Sequence, residues 1–173
     1  RYCLLSRGLG DVYKRQMEGT AEPHDERSRV RAAGSMDTTI ADMARFAAGY
    51  VRGDGLSATM RKELVRPQLP ITTASQFPTL QPELPKALQR KDLAAGLGVV
   101  TFRGPQGAGF YKGGHDDAVA NTLVCVEQQQ RCVVILGNDV RAEATFPALV
   151  AFVLGDIGVP WQWEYGAAKA FVK

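Results

Sequence analysis

The chain has 173 residues, 45% of them hydrophobic, and carries 21 Lys and Arg against 18 Asp and Glu, a formal net charge of +3. That length suits one compact unit with a sizeable core. No stretch reaches the ~18–20 consecutive apolar residues of a membrane span, and there is no internal repeat or strongly low-complexity segment.

The surplus positive charge is local. Residues 1–16 hold four Lys or Arg and one Asp, and residues 17–173 hold 17 of each sign. A pI near 8.8 would otherwise point to nucleic acid or an anionic membrane surface; with the charge confined to one end, no nucleic-acid partner is expected. Ser6–Gln16, SRGLGDVYKRQ, resembles a translated sequencing adapter, and Asp11–Gln16 fits the codons GAT GTG TAT AAG AGA CAG of a transposase mosaic end. Residues 1–16, Cys3 included, are therefore set aside as an artefact, the alternative being a natural basic arm. On the artefact reading the gene continues upstream, Met17 is not an initiator, and the absence of a leader peptide carries no meaning.

Residues 17–34 are charged and punctuated by Gly and Pro, the texture of an exposed loop. Thr39 with Asp42 makes a capping-box pattern, and Ile40, Met43, Ala44, Ala47 and Val51 follow at helical spacing until Gly53 and Gly55. A shorter helix is predicted from Ser57 through Met60, Leu64 and Val65, ended by Pro67. Between Pro67 and Gln89, Pro67, Pro70, Pro78, Pro82 and Pro85 exclude regular helix or central strand. This irregular excursion is either a solvated connection or a lid facing substrate.

From Gly96 the texture becomes β. Strands are expected over Leu97–Phe102, Gly109–Lys112, Val119–Glu127 and Cys132–Asn138, with a turn through Gly104–Gly107, as an antiparallel meander. Val133–Leu136 is apolar on both faces and is expected to sit centrally with helices on each side. A largely apolar helix is expected from Phe146 to Leu154, closed by Gly155. Trp161, Trp163 and Tyr165 then form an aromatic clasp, and residues 166–173 a frayed end. The fold class is α+β, an antiparallel sheet flanked by helices, with one domain over residues 17–165.

Lys112-Gly113-Gly114-His115 carries the chemistry. A lysine followed by two residues with almost no side chain leaves a strand edge that another backbone can approach, with the ammonium aimed at reacting atoms. Read blandly, the same residues are a surface lysine and a turn. His115 with Asp116 and Asp117 lacks convincing metal-ligand spacing, so neither metal nor cofactor is called for. A hairpin centred on Gln128-Gln129 sets Cys125 opposite Cys132, either as a disulfide or as two buried thiols.

Two stretches together resemble the serine β-lactamase and penicillin-binding-protein superfamily, in its class C-like branch. One is Thr38–Phe46, TTIADMARF; the other is Gly96-Leu97-Gly98, then Lys112-Gly113-Gly114, then Leu136-Gly137-Asn138 at the end of the hairpin. The resemblance covers roughly residues 33–160, and its specificity lies in the joint order and spacing. It implies a C-terminal part of the β-lactamase/transpeptidase-like fold and an acyl-enzyme mechanism. Lys112 falls on the lysine of the family's Lys-Thr-Gly motif, and the His115 N–H on the backbone oxyanion donor. Gly113 stands where the family has Thr, which puts recognition of a substrate carboxylate in doubt. Gly114 matches the family glycine, and Asn138 and Arg141 follow the strand where the family binds a substrate carboxylate. Arg141 has the bland alternative of pairing with Glu143, and the His115 imidazole is expected to bond Asp116 or Asp117 or to move protons. Neither S-x-x-K nor Y-x-N occurs in the sequence, so the family's nucleophile and base would lie upstream and this piece alone is expected to be inactive. The implied substrate is a small molecule or peptidoglycan peptide, and the implied location is the periplasm or beyond. A non-catalytic binding module of the same fold is the rival reading.

Overall fold

A computed structural model describes residues 38–78, 80–115 and 119–165. The adapter-like residues 1–16, the charged segment 17–34, Asp116, Asp117 and the tail 166–173 lie outside the described residues.

Helix α1 spans Ile40–Arg52. Thr39 is extended and its Oγ1 accepts from the Asp42 N–H at 3.1 Å, satisfying one of the donors a helix start leaves unpaired. Gly53 ends the helix at φ 77, ψ 36, its N–H donating to Gly49 and Tyr50 carbonyls, a left-handed turn that costs glycine least. Helix α2, Ala58–Leu64, starts in the same way, with Ser57 Oγ accepting from Met60 N–H at 3.2 Å. The Pro-rich segment is irregular as expected, apart from the two-residue strand β1, Leu69–Pro70, and a single 3-10 turn at Lys86–Leu88.

Strands β2 (Ala94–Ala95), β3 (Val100–Gly104), β4 (Gly107–His115), β5 (Ala120–Val126) and β6 (Arg131–Gly137) complete a six-stranded sheet. Its order is β1-β2-β3-β4-β5-β6 and every pairing is antiparallel. Strand β3 begins later than the sequence suggested because Gly98 adopts φ 79 and Gly96 N–H bonds Val99 O, a tight turn where strand was expected. Strand β4 runs on to His115, beyond its expected end at Lys112.

Helix α3, Phe146–Leu154, and α4, Trp161–Tyr165, follow. One face of the sheet packs on α1 through Ala47, Val51, Phe110, Leu123 and Cys125; the other packs on α3 and α4 through Phe102, Tyr111, Val124, Val150 and Leu154. The molecule is thus α+β, with helices on both faces of an antiparallel sheet. The expectation for Val133–Leu136 needs correction. Helices do cover both faces, with Val134 toward α1 and Val133 and Ile135 toward α3, but β6 is the last strand of the described sheet and β5 is the most buried. Apolarity on both faces reports what lies above and below a strand, not what lies beside it.

Candidate active site

Strand β4 is longer than its partner β3. Their register ends at Val100 opposite Tyr111, whereas β4 pairs with β5 as far as His115 opposite Ala120. Lys112–His115 is therefore paired on one side only among the described residues. Which backbone groups face the free side follows from the alternation of antiparallel ladders. Glu127 N–H bonds Ala108 O at 3.0 Å, so the Ala108 and Glu127 pair exchanges hydrogen bonds across β4 and β5. Even-numbered β4 residues thus turn their N–H and C=O toward β5, and odd-numbered ones turn them away. Gly113 and His115 accordingly present their backbone groups to the open edge. Consistent with this, the Gly113 carbonyl accepts from Lys112 Nζ at 2.6 Å, which carries the ammonium to that edge.

The two faces of this segment differ. Gly114 lies on the α1 side, where a Cβ would meet nothing within 4 Å. Gly113 is buried on the other side, where an added Cβ would fall within 3.0 Å of a Glu164 carboxylate oxygen and 2.7 Å from the Tyr165 hydroxyl. The side-chain space of a residue at 113 is taken by α4. Glu164 is only 7% exposed, and burial raises its carboxyl above the ordinary range, opposed by the Lys112 charge, the Tyr111 hydroxyl and His115. Tyr111, fully buried beside it, has its own hydroxyl pushed up by burial and by Glu164. Tyr165, also raised by burial, packs on Phe146 and Trp161, with ring centroids at 5.8 and 6.1 Å.

The remaining candidates gather at the same end of the sheet, because His115, Ala120 and Gly137 stand in one row. A 3-10 segment, Val140–Thr145, follows β6 and carries Glu143 back to His115, where Nδ1 and Oε1 are 2.7 Å apart. Glu143 is thus a partner of His115, its side chain mostly buried and its carboxyl raised by burial and held back by His115; the expected partners Asp116 and Asp117 lie outside the described residues. Arg141 does not pair with Glu143 either. Its N–H and Nε both bond Asp139 at 2.9 and 2.8 Å, and its Nη2 also contacts that carboxylate, holding the Asp139 carboxyl below its usual range. Asn138 is half-buried beside this loop.

Cys125 and Cys132 form a disulfide. By the same alternation they are a pair without backbone hydrogen bonds, the closer kind of cross-strand neighbour, and their Cα atoms are 4.1 Å apart. Among the described residues no group of three or more His, Cys, Asp or Glu could hold a metal ion, and no helix is long and apolar enough to cross a membrane.

A cavity of about 210 Å³ lies elsewhere, between the Pro-rich excursion and α4, lined by Ile71, Thr73, Leu84, Leu93, Pro160 and Trp163 among others. None of Lys112–His115 reaches it. Two of its polar groups are engaged: Thr73 Oγ1 takes the Trp163 Nε1–H at 3.2 Å, and Arg90 pairs with Asp92. An apolar cavity is the usual first choice for a site, but this one holds none of the candidate residues.

Of the residues singled out in the sequence, Lys112, Gly113, Gly114 and His115 lie on β4, and Asn138 and Arg141 follow β6 at the same end of the sheet. The sequence reading gave no place beside them to Glu143, which faces His115, or to Glu164 and Tyr165, which face Gly113. A lone acid inside the aromatic run Trp161–Tyr165 was the available hint, since an acid among aromatics that pack inward must find a partner. Comparison with protein-family models, curated proteins and solved structures gave no match.

Proposed function

We propose that this chain is the C-terminal part of a serine hydrolase resembling the β-lactamase and penicillin-binding-protein superfamily. The observation that supports it is the open edge at Lys112-Gly113-Gly114-His115, where backbone groups of Gly113 and His115 face outward and the Lys112 ammonium stands beside them. A substrate laid along that edge would gain strand-like hydrogen bonds. The His115 N–H would stabilise the oxyanion of a tetrahedral intermediate, a donor of a kind worth about 3–4 kcal/mol when water is excluded. Lys112 would favour the anionic form of a base or leaving group nearby. Attack would come from a serine activated by a second lysine, supplied from upstream, since S-x-x-K is absent here. The enzyme would act outside the cytoplasm, in keeping with the Cys125–Cys132 disulfide.

Intact-mass analysis after treatment with a fluorophosphonate or β-lactam probe tests this. The 173-residue chain is expected to take up no probe, and the polypeptide read from the uninterrupted gene is expected to take up one equivalent on a serine. A stoichiometric adduct on the 173-residue chain contradicts the assignment of the nucleophile. An uninterrupted gene that lacks the serine or its lysine supports the binding module instead.

A further inference from the structure

Two acids and one ammonium meet at the open β4 edge, and the arginine that follows β6 is already taken. Arg141 is held by Asp139 through two nitrogens of its side chain and its backbone N–H. His115 faces Glu143 at 2.7 Å. Lys112 donates to the Gly113 carbonyl, and its charge bears on buried Glu164 on the far side of that same glycine. Gly113 brings no hydroxyl of its own, and no side chain larger than hydrogen fits there while Glu164 and Tyr165 keep their places.

We propose that Glu164, seated in the side-chain space of residue 113, together with Glu143 on His115, makes this edge a subsite for uncharged or cationic acyl groups that excludes substrates bearing a free carboxylate. An anion laid on Gly113 and His115 meets two acids against one ammonium, that of Lys112, which already donates to the Gly113 carbonyl. Like charges brought together at a partly dry surface raise the energy of binding, whereas the outward N–H and C=O groups serve a neutral ester or amide equally well. The substrate class narrows accordingly to neutral esters and amides. This rests on the edge being the substrate strand, as proposed above.

The test is titration of the 173-residue chain, followed by backbone amide shifts at Gly113, Gly114 and His115, at about pH 8 where ordinary carboxylates are ionised. Three probes are compared: N-acetyl-D-alanine methyl ester, N-acetyl-D-alanine and D-alaninamide. The ester and the amide are expected to bind at least about tenfold more tightly than the acid, equivalent to about 1.4 kcal/mol. Glu164→Gln is expected to close most of that gap, and Glu143→Gln to close part of it, which decides the matter if the first variant does not fold. Equal or tighter binding of N-acetyl-D-alanine by the unaltered chain overturns the charge preference and leaves the substrate strand standing. A gap unchanged in both variants overturns the role of the two acids. Failure of all three probes to shift Gly113–His115 contradicts the substrate strand itself.

Discussion

Gly113 and Gly114 are neighbours with opposite reasons for being glycine. A methyl group at 113 collides with Glu164 and Tyr165, whereas one at 114 projects into open space. Gly113→Ala is therefore expected to cost about 1–3 kcal/mol by overpacking, read from urea midpoints, and Gly114→Ala to stay within about 0.5 kcal/mol. In a Glu164→Ala background the Gly113→Ala cost shrinks, because the two residues compete for one volume. The same acid sets a pH dependence. A carboxyl raised on folding contributes stability that is complete below the unfolded value, 4.5 for Glu164, and is lost as pH rises through the folded value. Glu143, also raised, acts in the same direction. Asp54, Glu63, Asp92 and Asp139, held low by arginines, act oppositely and lose their contribution as pH falls. Melting temperatures of Glu164→Gln and the unaltered chain are expected to converge at low pH and diverge toward neutrality, with the variant the more stable there; parallel profiles would show that Glu164 keeps its ordinary value.

At the scale of elements, helices are tied to the sheet by a few specific links. Arg61 of α2 donates twice to Val51 O at the end of α1, at 3.0 and 2.7 Å, and reaches Glu127 Oε2 of the β5–β6 hairpin at 2.6 Å. Its side chain is 15% exposed, so Arg61→Ala leaves a carbonyl and a carboxylate short of donors. A loss of about 2 kcal/mol is expected by denaturant titration, only partly recovered by Arg61→Lys, which has no fork to span both acceptors. The disulfide closes the same hairpin one residue pair in from its turn, and Cys132→Ser is expected to cost about 2–3 kcal/mol by the loop-closure relation. These elements were legible in the sequence to different degrees, and the reason is range. Thr39 and Ser57 act on residues three positions away, and Cys125 faces Cys132 across one short hairpin. Lateral position of β6 and the meeting of Glu164 with Gly113 depend on how distant segments come together, which no local pattern encodes. The length of β4 was underestimated for a related reason. Gly113 and Gly114 are poor strand formers, and pairing with Asn121 and Thr122 of β5 overrides their preference.

Across the whole molecule, the described surface carries more bare apolar area than scattered exposure explains. Phe152 is 90% exposed, with Val153 and Leu149 beside it on the outer face of α3, and β6 has no further strand beside it among the described residues. Such a patch beside an unpaired strand promotes association, so light scattering is expected to show concentration-dependent growth that Phe152→Glu reduces; a monodisperse monomer at high concentration speaks against a free α3 face. The open β4 edge is different in kind, because it is polar, bears Lys112 and turns two backbone donors outward. The proposed part of this edge in acyl transfer is tested most directly by hydrolysis of a neutral short-chain ester by the full-length protein proposed above, with and without Lys112→Ala. A fall in kcat/KM of about 100-fold or more with an unchanged melting temperature is the predicted result. Hydrolysis that proceeds equally well without the Lys112 ammonium would contradict the account.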